Sequence, residues 1–284
     1  MLVLAAACWG VGTAVSKQAV AEVPPLTLLV IQLAISVAFL VAMGRLRGER
    51  DLAGQLGRPV GWLGVLNPGT AYALSLLGLV LITASLSVLL WAAEPILILL
   101  FAALLLRERI GASLVVLSGV ALGGLVLVLW DPTAGGALPG IALSLAGIGC
   151  CVAYTLATRR WLPDVASTLA VVVAQDIYAL GFAALVLAAV AVAGGQILPA
   201  SVSPGAVAST VVSGLVYYGL AYWFYLTGLR HLPASTAAVS FYLIPLFGVA
   251  AATAFGERLD LLQWAGAAVV IGAVATIGLR TTRI

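Results

Sequence analysis

The chain has 284 residues, of which 63% are hydrophobic and only 8% are charged, and its mean hydropathy is +1.21. These values exclude an ordinary soluble domain and indicate a membrane protein that crosses the bilayer several times. The formal net charge of +3 is too small to imply a nucleic-acid partner.

Apolar stretches recur along the whole chain and are about 20 residues long, the length that a helix needs to cross a membrane. No alternating pattern typical of transmembrane barrels is present, so the sequence predicts an all-helical protein with ten spans. The first stretch has no basic segment before it, and we interpret it as a retained first helix that could be shortened at its start. The predicted spans are 1–21, 26–46, 59–79, 82–105, 112–130, 138–159, 166–193, 205–228, 233–255 and 261–280.

The basic residues predict the orientation of these spans. If the N-terminus is cytoplasmic, Lys17 and Arg258 alone fall at outer ends, which leaves the other 11 of the 13 basic residues inside. Cytoplasmic loops are enriched in lysine and arginine, so both termini are expected in the cytoplasm. The expected location is a cell membrane, most simply a bacterial inner membrane.

The sequence contains an internal repeat. Residues 72–95, "YALSLLGLVLITASLSVLLWAAEP", align with residues 222–245, "YWFYLTGLRHLPASTAAVSFYLIP", at a constant offset of 150. The matched positions are Tyr72 with Tyr222, Gly78-Leu79 with Gly228-Leu229, Ala84-Ser85 with Ala234-Ser235, Pro95 with Pro245 and, one residue later in register, Glu108-Arg109 with Glu257-Arg258.

The repeat predicts two halves, residues 1–131 and 138–284, with five helices each. Because five is odd, the halves must insert with opposite orientations. Inverted repeats of this kind are typical of secondary transporters, whose binding site lies between the halves near the midplane.

One acid, Glu94, lies beside Pro95 near the middle of the fourth predicted span. An acidic residue at that depth costs about 2.5–3.5 kcal/mol and usually faces the bundle interior or a wet cavity. Ser87 and Trp91 share its helix face. Pro95 and Pro245 each leave one helix carbonyl without its donor, which predicts equivalent kinks in the two halves. The free carbonyls are tolerated best where they face a cavity. Alternatively, both prolines are simple packing kinks.

Further polar and aromatic residues lie at membrane depth. Asp176, in the seventh span, is the second mid-depth acid and either couples protons together with Glu94 or makes a buried helix–helix hydrogen bond. Gln32 and Ser36 are expected to bond neighbouring helices, and Tyr217 to belong to an interfacial aromatic belt. The predicted substrate-binding residues are Thr13, Tyr72, Ser87, Trp91, Glu94, Tyr154, Tyr222 and Tyr242.

Glycine-rich stretches, "SGVALGG" (118–124) and "GAAVVIGAVATIG" (266–278), lie in the fifth and tenth spans. Small residues at close spacing let membrane helices approach each other. These two helices are therefore expected to form scaffold or a homodimer surface rather than the cavity wall.

Three segments resemble the EamA-type branch of the drug/metabolite transporter superfamily. They are "CWGVGTAVSKQAV" (8–20), "ASLSVLLWAAEPILILLFAALLLRERI" (84–110) and "ASTAAVSFYLIPLFGVAAATAFGERL" (234–259). The resemblance covers essentially the whole chain, and Arg107 replaces a glycine that is usual in the superfamily. It implies a helical bundle with a central cavity that exports small metabolites, without fixing the substrate.

The residues themselves favour a transporter over an enzyme. No phosphate-binding loop for ATP is present, so the energy would come from a proton or substrate gradient. The cysteines Cys8, Cys150 and Cys151 and the single His231 have no metal-ligand spacing, and no cofactor is predicted. An intramembrane lipid-modifying enzyme lacks a catalytic constellation, whereas a non-transporting ligand-binding or assembly protein stays open. The aromatic lining and the acids indicate an amphipathic substrate with an amine, such as an amino acid, an amine or a cationic drug.

Overall fold

The computed structural model describes residues 1–49, 51–79, 81–82, 90–129, 137–254 and 261–281. These residues are almost entirely helical, because a backbone in hydrocarbon must satisfy its polar groups within its own segment. Ser87 and Glu257-Arg258 lie outside the described residues. The α-helices are α1 Leu2–Val20, α2 Pro25–Leu46, α3 Pro59–Gly64, α4 Ala71–Leu79, α5 Glu94–Leu105, α6 Ala112–Leu129, α7 Leu138–Trp161, α8 Thr168–Val192, α9 Pro204–Ser213, α10 Ala221–His231, α11 Ala234–Ala238, α12 Ile244–Ala254 and α13 Leu261–Thr281.

Several helical segments are long and apolar enough to cross a membrane. Among the described residues, six pass both criteria, and two shorter apolar segments, Glu94–Leu105 and Ala234–Gly248, accompany them. The six are Pro25–Leu46, Ala112–Leu129, Leu138–Asp164, Thr168–Val192, Pro204–His231 and Leu261–Arg280. The fold is therefore that of a multi-pass, all-helical membrane protein.

The third predicted span is broken in its middle. Helices α3 and α4 are joined by Val65–Thr70, a wide, kinked turn in which Asn67 has extended backbone angles, φ −149° and ψ 123°. Pro68 follows through a cis peptide bond and has no N–H to donate. The hydroxyl of Thr70 instead donates to the Val65 carbonyl at 2.8 Å. The continuous helix predicted over 59–79 is wrong at Asn67.

Glu94 lies at a helix start rather than in mid-helix. The backbone is helical at Leu90 and Trp91, turns at Ala92 and Ala93, and begins α5 at Glu94. The cause is Pro95, which cannot donate to the Trp91 carbonyl. In the ninth predicted span, a 3₁₀ segment, Val239–Leu243, likewise precedes Pro245 in α12.

The widened turns follow the internal repeat. The eighth predicted span also contains a π-helical segment, Gly214–Leu220, which joins α9 to α10. At the repeat offset, Val65–Thr70 corresponds to residues 215–220, all of which lie inside that segment. The α-helical winding is therefore interrupted at equivalent points of the two halves, by a break at Asn67 in the first half and by a continuous π-helical segment in the second.

Polar contacts gather the arginine-bearing ends of the helices at one end of the bundle, which we call the arginine end. The Glu108 carboxylate, just after α5, accepts hydrogen bonds from the start of α11 at Ala234 and Ser235. Three other contacts link helix ends at this end of the bundle: Glu49 with Ser167, Arg159 with the Arg230 carbonyl, and Arg280 with Ser113. Arg107, which replaces the usual glycine, has a φ of 55°, the left-handed region that glycine adopts readily.

The glycine-rich helices α6 and α13 pack on each other within the chain. A Cβ added at Gly124 would lie 2.9 Å from the Gly266 carbonyl oxygen, so only glycine allows this approach. Gly119, Gly123 and Gly272 have open space beside them and leave an outer face on the same pair of helices. The homodimer predicted on these helices stays a prediction, restricted to this outer face.

Candidate functional site

A cavity of about 390 Å³ lies between the broken helices of the two halves. It lies where α5 and α12 begin and where the two widened turns bring their residues inward. Seven of the predicted binding residues and both predicted kink prolines line it: Thr13, Tyr72, Trp91, Glu94, Tyr154, Tyr222, Tyr242, Pro95 and Pro245. The eighth, Ser87, lies outside the described residues.

Sequence reasoning missed more than half of the lining. Tyr217 is the clearest correction, because it lines the cavity and its hydroxyl lies 2.8 Å from that of Tyr72, which is inconsistent with an interfacial belt. The remaining lining residues are Trp9, Gly10, Asn67, Ser75, Ala92, Leu125, Cys151, Thr155, Tyr225, Phe241, Ile244 and Gly248.

Glu94 contributes the cavity's carboxylate. It is 9% exposed and has no hydrogen-bond or ion-pair partner among the described residues. A carboxylate that is ionised can only accept hydrogen bonds, so this group is available to an ammonium group or a proton. Its place at the N-terminus of α5 favours negative charge there.

Aromatic rings make most of the wall around this carboxylate. Trp9 is the centre of one cluster, with ring centroids 5.3 Å from Tyr222, 5.4 Å from Tyr225 and 5.6 Å from Phe241. Ring faces attract cations, and rings also bury apolar surface. The arrangement suits a small organic molecule with a positive charge and an apolar body.

A second aromatic group surrounds Tyr72. Its ring lies 6.4 Å from Trp91, 5.8 Å from Tyr217 and 5.7 Å from Tyr218. Thr13 also lines the cavity, but its hydroxyl donates to the Trp9 carbonyl of its own helix at 2.8 Å. Thr13 therefore contributes shape more than a free donor.

Gln175 supports the cavity wall from behind. Its Oε1 accepts a hydrogen bond from the Tyr154 hydroxyl at 2.8 Å, and its Nε2 donates to the Val60 carbonyl at 2.9 Å. Both partners are buried, so the amide ties α7 to α3 just before the break at Asn67. This bridge fixes the position of the broken helix relative to the cavity.

Asp176, the second predicted coupling residue, does not line the cavity. It is fully buried, and its Oδ2 accepts a hydrogen bond from Ser36 at 2.6 Å. Its Oδ1 is also buried and has no hydrogen-bond partner among the described residues. Nearby, Gln32 donates to the Ser213 hydroxyl at 2.6 Å, so Gln32 and Ser36 both bond neighbouring helices.

Comparison with known proteins identifies the family. The family model described as "EamA-like transporter family" matches residues 1–130 and residues 138–279. A solved structure, described as "Crystal structure of protein", aligns with a TM-score of 0.84 over 99% of this chain and 96% of that chain, at 21% identity. At that identity the likeness shows the fold alone. No curated protein matches the sequence. The chain belongs to the EamA-like transporter family, within the drug/metabolite transporter superfamily, whose members are transporters rather than enzymes.

Proposed function

We propose that the protein is a secondary active transporter that exports small amphipathic compounds carrying an amine, by alternating access. The single observation that carries this proposal is that the Glu94 carboxylate, inside an aromatic-lined cavity, has no partner among the residues that the structure describes. A charge at membrane depth is costly, and one without a protein partner is best explained by a ligand or a proton that neutralises it in part of the cycle.

The topology that we propose has ten spans in two inverted repeats, with both termini in the cytoplasm of a bacterial inner membrane. Two observations support it. The arginine end collects most of the basic residues, as expected for a cytoplasmic face. The contact of Glu108 with Ser235 joins the end of the fourth span to the start of the ninth, as expected if the equivalent helices of the two halves run in opposite directions.

In this proposal Glu94 binds the ammonium group of the substrate or a proton that is exchanged for it, and Asp176 is the rival proton site. Glu94→Gln keeps the size of the side chain but cannot ionise. The neutral side chain is cheaper to bury, so folding and expression should stay near normal.

The test is flux in proteoliposomes, with a substrate found by a thermal-shift screen of metabolites on the purified protein. If Glu94 carries the proton, Glu94→Gln should abolish proton-driven flux and spare substrate exchange. If Glu94 holds the ammonium group, the variant should weaken binding in every assay, since a charge-assisted hydrogen bond is lost. Asp176→Asn is the matched control for the other buried acid.

Unchanged pH-dependent flux in Glu94→Gln would leave Glu94 a structural residue and transfer the coupling role to Asp176. Binding without flux in the wild-type protein would instead favour a non-transporting ligand-binding protein.

A further inference from the structure

Asn67 presents an unused hydrogen-bond donor to the central cavity. It lines the cavity, is 6% exposed and lies at the break between α3 and α4. Its Oδ1 accepts a hydrogen bond from the Tyr222 hydroxyl at 3.0 Å, whereas its Nδ2 has no partner among the described residues. An amide nitrogen carries two N–H donors, so this group can donate to an acceptor inside the cavity.

Tyr222 fixes which end of the amide faces the substrate. Its ring is 2% exposed and packs edge-on against Trp9 at 5.3 Å and against Tyr154 at 6.3 Å. Because this ring is held on two sides, its hydroxyl keeps the Asn67 oxygen occupied. Tyr222 is therefore a positioning residue for the Asn67 amide.

The Asn67 amide and the Glu94 carboxylate are complementary groups of the same cavity. Among the described residues, the amide nitrogen is a donor without an acceptor, whereas the carboxylate is an acceptor without a donor. The indole Nε1 of Trp9 also has no hydrogen-bond partner among these residues, but it is buried and not open to the cavity.

We propose that Asn67 is a specificity-determining residue that binds a hydrogen-bond acceptor, a carboxylate or carbonyl oxygen, on the same substrate whose ammonium group binds Glu94. The inference rests on the proposed function, since it assigns substrate chemistry to the same cavity. It narrows that chemistry: an amine that also carries an acceptor should bind better than the same amine without one.

Matched ligand pairs test this directly. L-tryptophan and tryptamine differ only in the carboxylate, as do L-phenylalanine and phenethylamine, and titration calorimetry on the purified full-length protein measures their affinities. Hydrogen bonds to charged groups are worth enough to predict at least tenfold tighter binding of each amino acid by the wild-type protein.

Asn67→Asp is the decisive variant, because it has the same size and replaces the donors by a negative acceptor. It should weaken binding of the amino acids at least tenfold and leave binding of the amines unchanged or tighter. Tyr222→Phe, which frees the amide to turn over, should reduce the preference without reversing it, and remains informative if Asn67→Asp does not fold. Gln196→Glu, in an exposed connection, adds the same charge away from the cavity and should change neither.

Three results would overturn the inference: equal or tighter binding of the amines by the wild-type protein, an equal loss for both members of a pair in Asn67→Asp, or no binding of either amino acid. The proposed function is judged separately. It fails if no compound from the thermal-shift screen gives flux in proteoliposomes, whatever the pairs show.

Discussion

We predict that the contact between Glu108 and the start of α11 opens when the cavity becomes accessible from the arginine end. Its carboxylate accepts hydrogen bonds from the Ala234 N–H at 2.8 Å, the Ser235 N–H at 3.0 Å and the Ser235 hydroxyl at 2.5 Å. These bonds satisfy helix N-terminal donors that have no partner inside the helix. Glu108→Gln keeps the shape of this side chain but offers one acceptor oxygen in place of two.

The loss can be estimated from the bonds involved. The glutamine oxygen can replace one carboxylate oxygen, so at least one bond is lost and an NH₂ group then faces a donor. A hydrogen bond to a charged group contributes about 1.5–3 kcal/mol, and a negative charge at a helix N-terminus about 0.3–1 kcal/mol. We therefore expect Glu108→Gln to weaken the contact by about 2 kcal/mol, which shifts an opening equilibrium by about 30-fold.

Labelling of Cys151, which lines the cavity, measures this opening. In a background with Cys8→Ser and Cys150→Ser, a membrane-impermeant maleimide applied from the arginine end should label Cys151 faster in Glu108→Gln than in the parent. Glu22→Gln removes a similar carboxylate cap at the opposite end and should not raise labelling from the arginine end. A lower melting temperature with unchanged labelling would refute the reasoning and make Glu108 a purely structural cap.

Two further predictions concern stability. Hydrogen bonds from the Ser203 N–H and hydroxyl hold the pKa of Glu22 below its ordinary value of 4.5. Ionised Glu22 therefore stabilises the folded protein at a pH above the unfolded-state pKa. This stabilisation is lost as the pH falls through the lower folded-state pKa. Melting temperatures measured below pH 4.5 should accordingly fall less steeply in Glu22→Gln than in the wild type, and parallel curves would contradict this. A Cβ at Gly64 would clash with the Gln175 carbonyl oxygen, so Gly64→Ala should destabilise by about 1–3 kcal/mol in thermal unfolding. Gly181→Ala, which meets nothing within 4 Å, should be neutral or stabilising by up to about 1 kcal/mol, and equal melting temperatures would refute the packing of α3 on α8.

Helix periodicity predicted part of the cavity lining, and it failed where the winding changes. Trp91, Tyr154 and Tyr222 were found from shared helix faces, and all three line the cavity. Tyr217 was missed because it lies inside the π-helical segment Gly214–Leu220, where a wider turn shifts every side chain away from the direction that a 3.6-residue period predicts. No simple sequence pattern marks such a segment. Once the irregular segment of one half is known, however, the repeat offset indicates where to look for one in the other half.

Asn67, in contrast, carried a signal that the sequence analysis had already used at Glu94. Both are polar residues directly before a proline inside an apolar run. The residue before proline is disfavoured in helical conformation, and the proline removes a backbone donor, so the chain breaks where polar groups must face a cavity or other protein. A search for this dipeptide pattern would have found both residues.

Alignment of the two halves at the repeat offset shows that they contribute different polar residues to the cavity. At the repeat offset Glu94 corresponds to Ile244 and Asn67 corresponds to Tyr217, so the first half supplies the carboxylate and the amide. The rings come from both halves, among them Trp9 and Trp91 from the first half and Tyr222 from the second. The polar groups of the cavity are therefore unequal between the halves, whereas its aromatic groups are shared. A substrate held in this way should have its charged groups toward Glu94 and Asn67 and its apolar body between rings of both halves.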